Sequence, residues 1–213
     1  MKILFKYTTR SRRSNFLRGY DSIVNNVNSD NYHILISIDK DDSTMFPLPE
    51  LNGNHTIVVG NSKNKVDAIN RDVNEFTTLC DWDIIVNMSD DMIFTIKGFD
   101  DVIRECFDNL DLCLHLPDGV TNQQLISMSI LGRDYYNRDK YIYHSDYISL
   151  YCDEEVMEVA KMRGCYKYVN NHIFKHLHPA HGNAPNDAQY QHTESFHPID
   201  GATFQRRRAN GFL

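Results

Sequence analysis

Two adjacent carboxylates, Asp90 and Asp91, follow the stretch "DIIVNM" after a single serine, Ser89, and that stretch has the composition of a buried strand. Neighbouring carboxylates repel each other, and placing them beside a hydrophobic strand costs free energy unless a cation or hydrogen-bond donors compensate the charge. A divalent cation that also holds a diphosphate is one solution, because Mg²⁺ and Mn²⁺ favour carboxylates together with phosphate oxygens and water. The alternative is that both residues only cap the turn or the following segment.

Polar residues also follow three other predicted strands. Thr8 to Arg10 follow the first strand, Asp39 follows the second, and residues 61 to 65, ending in Lys65, follow the third. Ligands of open parallel sheets bind at the carboxyl ends of the strands, because loops and helix N-termini converge there. The four strand ends together therefore predict a polar ligand that extends across half the sheet.

Histidines are concentrated near the C-terminal end of the chain, where six of the ten lie between residues 172 and 197. His176 and His178 lie two positions apart on a predicted strand, so both project from the same face. One of them can complete a metal shell as an imidazole ligand. The alternative, ordinary hydrogen-bonded histidines, stays open because this spacing is less specific than that of known zinc motifs.

The elements that must position these residues alternate between strand and helix. Apolar runs predict strands at residues 3–9, 32–38, 55–60 and 83–86, and helical spacing predicts helices at 16–27 and 66–79. This alternation indicates an α/β fold with right-handed crossovers. Later segments predict a helix ("DEEVMEVAKMRG") closed by Gly164 and one last strand in "YKYVNNHIFKHLHP", followed by a polar tail with little periodicity.

The totals limit the classes of protein to consider. A chain of 213 residues fits one domain. The net charge of −7 argues against a protein that coats nucleic acid, although the arginines at 10, 12 and 13 form a local basic cluster that can meet a phosphate. The five scattered cysteines contain no CxxC pair and no window reaches the length of a membrane span, so we expect a cytoplasmic protein.

Residues 1 to 180 resemble a glycosyltransferase of the GT-A fold, most similar to small family 2-type enzymes. The resemblance rests on four motifs, which are "YTTRSRR", "SIDKDD", "KVDAINRDV" and "NMSDDM". It implies a single GT-A (Rossmann-like) domain, with a mostly parallel central sheet flanked by helices. Residues 1–110 would form the nucleotide-binding half, 111–180 the acceptor half, and 181–213 an irregular C-terminal tail.

The resemblance also implies a nucleotide-sugar donor, by family usage a UDP-sugar, whose diphosphate is held by Mn²⁺ or Mg²⁺. Asp91 matches the main metal-binding carboxylate, and His178 resembles a late metal ligand, with His176 as the second choice. Ser89 departs from the family's DxD motif, in which an acid is usual. The donor-binding residues that the resemblance implies are Thr8, Arg10, Asp39, Lys65, Asn70 and Asp90.

Asp153, at the start of the predicted helix "DEEVMEVA", matches the position of the family's general base. In inverting members this acid removes a proton from the acceptor hydroxyl, and the resemblance suggests an inverting hexosyltransferase. The alternative for Asp153 is an ordinary helix N-cap, since aspartate is favoured at that position.

Two other functions remain open from the sequence. A nucleotidyltransferase shares the fold class and the metal, but no Gly-rich phosphate-binding loop follows the first strand. A non-catalytic nucleotide- or sugar-binding domain is the other. The expected acceptor is a glycan or a small molecule; a DNA base is an alternative, with contacts from residues 206–208 ("RRR"), Phe204 and Phe212.

Overall fold

A computed structural model of the chain describes residues 1–179 and 182–213. The central sheet contains strands β1 Ile3–Thr8, β2 Tyr32–Asp39, β3 His55–Gly60, β4 Ile84–Met88, β6 Cys113–His115, β7 Ile130–Gly132 and β8 Tyr166–Tyr168. A second, two-stranded sheet contains β5 Met92–Phe94 and β9 Phe174–His176. The helices are α1 Arg13–Asn26, α2 Lys65–Asn70, α3 Val73–Phe76, α4 Phe99–Glu105, α5 Arg133–Asp139, α6 Cys152–Met162, α7 Ala188–Glu194 and α8 His197–Ala209.

The strand order in the central sheet is β3-β2-β1-β4-β7-β6-β8. Among these seven strands only β7 runs antiparallel to its neighbours, so the carboxyl ends of the other six lie at one edge. Helices cover both faces, which is why β1 is buried along almost its whole length. The predicted α/β fold with a mostly parallel sheet is confirmed.

Two hydrophobic cores lie on opposite faces of the sheet. Phe5 of β1 faces α1 and α4, whereas Leu4 faces the other core, where α2, α3, α6 and α8 pack. This alternation is the period-two geometry of a strand. The sheet is therefore rigidly held from both sides, and its carboxyl edge can present polar groups in fixed positions.

The helix predicted at residues 66–79 is broken into α2 and α3. Asp72 has a left-handed backbone with φ 73°, and the Arg71 side chain turns back to pair with Asp39 at 2.9 Å and with Asp72 at 3.0 Å. The apolar periodicity continues across the break because both short helices bury residues in the same core. Side-chain contacts with the end of β2 thus override the local helical pattern.

The single last strand predicted in "YKYVNNHIFKHLHP" is also wrong, because the segment forms two strands in different sheets. β8 extends the central sheet beside β6, whereas β9 pairs antiparallel with β5, directly after Asp91. A pattern of apolar residues does not specify which partner a strand pairs with. The consequence is that β9 delivers its histidine to the end of β4.

The C-terminal tail, predicted to be irregular, forms α7 and α8. The side chain of Asp187 caps α7 by accepting from the backbone N–H of Tyr190. Along α8 the buried positions are Asp200, Phe204 and Arg207, which have helical spacing, but two of the three are charged. A search for apolar periodicity cannot detect such a helix, because its buried face is held mainly by ion pairs and hydrogen bonds.

From the sequence we also made predictions about the cysteines and about membrane-spanning segments. All five cysteines are free thiols in the described structure. No helix within residues 1–179 and 182–213 combines the length and the apolar character that crossing a bilayer requires.

Lys6, in the middle of β1, is completely buried. Its ammonium nitrogen contacts the Ser37 hydroxyl, which in turn donates to the carboxylate of Asp72. Burial lowers the pKa of Lys6 to about 7, against the opposing attraction of Asp72. A folded-state pKa below the unfolded value means that the unfolded chain binds more protons between about pH 7 and pH 10, so stability rises with pH in that window.

We predict that Lys6→Met removes most of this rise of the unfolding free energy with pH. Relative to the variant, the wild-type free energy of unfolding should rise by about 2 kcal/mol between pH 7 and pH 9. Urea unfolding at both pH values measures the difference. Lys175→Met is the control, because this exposed lysine is solvated in both states; equal pH slopes for wild type and Lys6→Met would contradict the prediction.

Candidate functional site

A cleft of about 880 Å³ lies at the carboxyl edge of the sheet. Its walls come from the ends of β1, β2 and β4, the first turns of α2 and α6, strand β9 and helix α7. The cleft therefore lies where the sequence predicted a polar ligand. The predicted site residues that line it are Thr8, Arg10, Asp39, Lys65, Asp90, Asp91, Asp153, His176 and His178.

Asn70 is the one predicted site residue that does not line the cleft. Its side-chain amide donates to the Tyr143 carbonyl at 2.6 Å, and its side-chain oxygen accepts from the backbone N–H groups of Ile142 and Tyr143 at 2.9 and 3.2 Å. These three bonds satisfy most of its hydrogen-bonding capacity. Asn70 therefore fastens the 142–143 segment to α2 instead of facing a ligand.

Asp90 and Asp91 lie buried side by side after β4. Asp90 is paired with Arg12 at 3.2 Å and accepts from the Thr9 hydroxyl at 3.3 Å. Burial and the neighbouring Asp91 nevertheless raise the pKa of Asp90 to about 6. The two acids at the end of β4 thus repel each other, and their combined negative charge attracts cations.

Asp91 is surrounded by protein donors. Ser89 donates to one carboxylate oxygen, and the hydroxyl of Tyr190 lies 2.9 Å from the other. Burial alone would raise the pKa of Asp91, but His176 and the Ser89 hydroxyl outweigh it and hold the pKa well below its usual range. Asp91 is therefore the carboxylate that stays ionised, and Ser89 supports it directly.

His176 is the histidine that faces Asp91. The β5–β9 ladder pairs Met92 with His176, and this places the imidazole Nε2 3.6 Å from Asp91 Oδ2. His178 also lines the cleft, with its ring 5.4 Å from the His176 ring and 4.9 Å from the Tyr190 ring. The geometry thus favours His176, the second choice of the sequence analysis.

Asp118 holds the other side of the His176 ring and was not predicted from the sequence. Its Oδ2 lies 3.7 Å from Nδ1 of His176, and its carboxylate accepts from the backbone N–H groups of Val120 and Thr121 at 2.8 Å each. Burial lowers the pKa of His176, but Asp118 and Asp91 raise it overall to about 9. The sequence signal was an Asp-Gly turn shortly after β6, which is also common in ordinary loops.

Arg12 is a second residue without a predicted role, although the basic cluster pointed to its neighbourhood. Its guanidinium bridges Asp90 at 3.2 Å and Asp187 at 2.5 Å, and it lies 4.0 Å from the centre of the Tyr190 ring. One arginine thus compensates a buried carboxylate and fastens α7 over the cleft. No spacing rule connects residues 12 and 187, so only the tertiary structure reveals this contact.

Asp153 lies within the first turn of α6, and the N-cap position belongs to Tyr151, which makes no side-chain cap bond. The alternative of a helix N-cap is therefore wrong. The Asp153 side chain accepts from the backbone N–H of Glu154 at 2.9 Å and borders the cleft. Burial raises the pKa of Asp153, which makes its carboxylate a stronger proton acceptor.

The C-terminal basic and aromatic residues are engaged within the protein. Arg206 pairs with Asp146 at 2.7 Å, Arg207 with Glu155 at 2.8 Å, and Arg208 with Glu158 at 3.0 Å. Phe204 is only 2% exposed, and Phe212 packs against the same core. Phe204 and Arg207 are therefore buried away from any nucleic acid, whereas the side chains of Arg206 and Arg208 stay 58% and 54% exposed.

The donor set at Asp91 fits Mn²⁺ or Mg²⁺. A carboxylate oxygen and an imidazole nitrogen 3.6 Å apart can share one cation only after His176, whose pKa is about 9, has released its proton, and Asp90 adds negative charge. Within the described residues no group of three or more His, Cys, Asp or Glu side chains is arranged to hold a metal. A cation at Asp91 would therefore need further oxygen ligands from a bound ligand or water.

Comparison with known proteins shows similarity in structure and not in sequence. No protein-family model matches the chain, and no curated protein matches its sequence. Mannosyltransferase PcManGT from Pyrobaculum calidifontis, solved with GDP-Man and Mn²⁺, superimposes with a TM-score of 0.59 at 10% identity. That alignment covers 80% of this chain and 55% of the mannosyltransferase.

Two other solved structures extend the comparison. A structure of residues 1–349 of S. aureus TarS in complex with UDP gives a TM-score of 0.60 at 10% identity, over 82% of this chain and 60% of that fragment. A cytidylyltransferase from Leptospira borgpetersenii gives 0.54 at 14% identity, over 81% and 76%. The chain thus spans 55% of the mannosyltransferase and 60% of the TarS fragment, and its GT-A fold is confirmed.

We predict that removing Arg12 destabilises the protein more than removing its partner Asp187. Arg12→Met leaves the buried Asp90 without its cation and should cost about 3–5 kcal/mol of unfolding free energy. The side chain of Asp187 is 37% exposed, so water can take the place of its carboxylate beside Arg12. Asp187→Asn should therefore cost only about 1 kcal/mol of unfolding free energy. Urea unfolding compares both variants with Arg18→Met, which removes an exposed arginine of α1; equal losses in Arg12→Met and Asp187→Asn would contradict the prediction.

Proposed function

We propose that the protein is a metal-dependent glycosyltransferase that moves a sugar, by family usage a hexose, from a nucleotide-sugar donor to an acceptor hydroxyl. The observation that carries this proposal is the arrangement of Asp91 and His176, which face each other at the carboxyl end of β4 inside a cleft. A cation there would be in place to hold a diphosphate, and the GT-A fold of the chain supports this assignment.

The donor lies, in this proposal, across the ends of β1, β2 and β4. Asp39 faces the nucleoside, while Arg10 and Lys65 approach the diphosphate from the cleft walls. Arg10 is held between Asp39 and Asp41 at 3.0 and 2.7 Å, so its guanidinium is positioned before a ligand binds. We infer a UDP-sugar, as UDP is the ligand of the structurally similar TarS.

Asp153 is the proposed general base. An acceptor hydroxyl beside it gives its proton to the carboxylate while the hydroxyl oxygen forms a bond to the anomeric carbon. The bond from that carbon to the diphosphate oxygen breaks, and the nucleoside diphosphate leaves with the electron pair. A single displacement of this kind inverts the anomeric configuration.

Mn²⁺ or Mg²⁺, when bound, would neutralise charge on the diphosphate leaving group. Asp91 and His176 would hold it, and Ser89 keeps Asp91 oriented by donating to its carboxylate. Tyr190 and Arg12 place α7 over this end of the cleft, which limits the access of water to the reacting atoms.

We predict that His176, rather than His178, supports metal-stimulated turnover. In assays of donor hydrolysis with Mn²⁺ and a panel of nucleotide sugars, Asp91→Asn and His176→Gln should lower activity by at least about 100-fold and weaken Mn²⁺ binding. His178→Gln is the matched control and should retain activity within a few-fold. Full metal-stimulated activity in Asp91→Asn would refute the metal assignment.

We predict that Asp153→Asn abolishes transfer but preserves donor binding. The amide has nearly the same shape but cannot accept the proton, so kcat should fall by about 100-fold or more while the Kd for the donor changes little. Glu154→Gln, at the next position and also at the cleft, is the control. Transfer by Asp153→Asn at the wild-type rate would show that another group is the base.

A nucleotidyltransferase is the second candidate, because the Leptospira cytidylyltransferase shares the fold. The products distinguish the two reactions. With a nucleotide sugar, a glycosyltransferase releases sugar or glycoside and the nucleoside diphosphate, whereas a nucleotidyltransferase supplied with a nucleoside triphosphate and a sugar phosphate releases pyrophosphate. Binding of both donors without turnover would indicate a non-catalytic domain.

For the acceptor and the cellular compartment we propose general classes only. We propose a glycan or small-molecule hydroxyl as acceptor and a cytoplasmic site of action, consistent with the free thiols. A modified DNA base would have to be recognised by surfaces other than Phe204 and Arg207, because both are buried in the protein.

A further inference from the structure

The loop at residues 148–151, which leads into α6 and lines the cleft, is held by helix α8. The backbone N–H groups of Ile148, Ser149 and Leu150 all donate to the carboxylate of Asp200, at 2.9, 2.8 and 2.8 Å. Asp200 lies in the first turn of α8 and is 0% exposed. Consecutive N–H groups that converge in this way stabilise an anion strongly, particularly when both are buried.

Tyr151, the last residue of the 148–151 loop, has a left-handed backbone with φ 61°. This conformation costs an aromatic residue about 1–2 kcal/mol, so it requires compensating contacts. The Tyr151 ring stacks on Phe204 at 5.7 Å, and its hydroxyl lies 3.0 Å from Nδ1 of His197. A Cβ on Gly201 would lie 3.4 Å from the same ring, in ordinary van der Waals contact, so only a side chain larger than alanine would press on the ring. All these partners belong to α8.

The 148–151 loop fixes the direction in which α6 begins, and therefore the position of Asp153 two residues later. The same loop carries Ser149, whose buried hydroxyl borders the cleft and has no hydrogen-bond partner within the described residues. Unpaired buried hydroxyls are costly, and a turn of the Ser149 side chain toward the cleft would let a ligand hydroxyl satisfy this one. Ser149 in the loop and Asp153, two residues beyond it, both line the cleft.

We infer that Asp200 is a positioning residue, which fixes the 148–151 loop so that Ser149 and Asp153 face the acceptor together. The role of Asp153 rests on the proposed function, whereas the fixing of the loop does not. Arg207, on the same helix, is a suitable comparison, because it pairs with Glu155 of α6 at 2.8 and 2.9 Å and does not contact the loop backbone. Substitutions of Asp200 and of Arg207 therefore distinguish the positioning of the loop from the general attachment of α8 to the protein.

Asp200→Asn is the direct test, because the amide keeps the shape but replaces one acceptor oxygen with a donor. We expect amide hydrogen exchange at residues 148–150 to accelerate by at least about ten-fold. The kcat for transfer should fall by about ten-fold or more, while the KM for the donor and the Kd for Mn²⁺–UDP stay within about two-fold. A residue needed only for stability would not produce this split.

Arg207→Lys is the matched control, and it should lower the melting temperature while leaving exchange at residues 148–150 and kcat close to wild type. Gly201→Val is the second variant, in case Asp200→Asn does not fold; its branched side chain would displace the Tyr151 ring and should lower kcat selectively. Wild-type exchange in both Asp200→Asn and Gly201→Val would overturn the inference, as would a kcat loss in Arg207→Lys equal to theirs.

The same measurements separate this inference from the proposed function. Faster exchange at residues 148–150 in a protein that transfers no sugar from any donor would contradict the glycosyltransferase proposal and still support the role of Asp200 in holding the loop. Faster exchange without a change in kcat would overturn the claim that the loop positions the reacting groups.

Discussion

The electrostatic repulsion between Asp90 and Asp91 at the buried end of β4 is the constraint around which the rest of the site is arranged. Two ionised carboxylates at this position are stable only if neighbouring groups compensate them. Arg12 provides the compensation for Asp90, and His176, Ser89 and Tyr190 surround Asp91. Each of these groups comes from a different part of the chain, so the acids draw the N-terminal loop, β9 and α7 to one point.

This arrangement divides the protein into a scaffold and a covering part. The parallel strands supply Thr8, Asp39 and the acids at fixed positions, since their backbones are hydrogen-bonded to neighbours on both sides. The C-terminal third adds the remaining wall, with His176 on β9 and Tyr190 on α7. A ligand in the cleft therefore contacts both parts, and its binding depends on how firmly α7 and α8 are attached to the sheet.

The parts predicted correctly from sequence are those in which local pattern and tertiary environment agree. The first four strands and α1 have apolar residues at the spacing that their burial requires, and the polar residues after those strands do line the cleft. The hydrogen bonds of Asn70 to residues 142–143 and the helix break at Asp72 were not predicted, because side-chain contacts with distant segments decide both. Helix α8 was missed because Asp200 and Arg207, two charged residues, form much of its buried face.

The sequence by itself determined the α/β order of elements and the presence of two acids after a buried strand, since both follow from local composition and spacing. Only the tertiary structure decided which histidine faces Asp91, that Arg12 compensates Asp90, and that Asp200 holds the loop before α6. These contacts join residues that lie 50 or more positions apart along the chain, as the hydrogen bond from Leu150 to Asp200 does. The buried charges involved are compensated by groups that lie close in space. Such contacts produce no periodic pattern in the sequence, so the sequence alone does not reveal them.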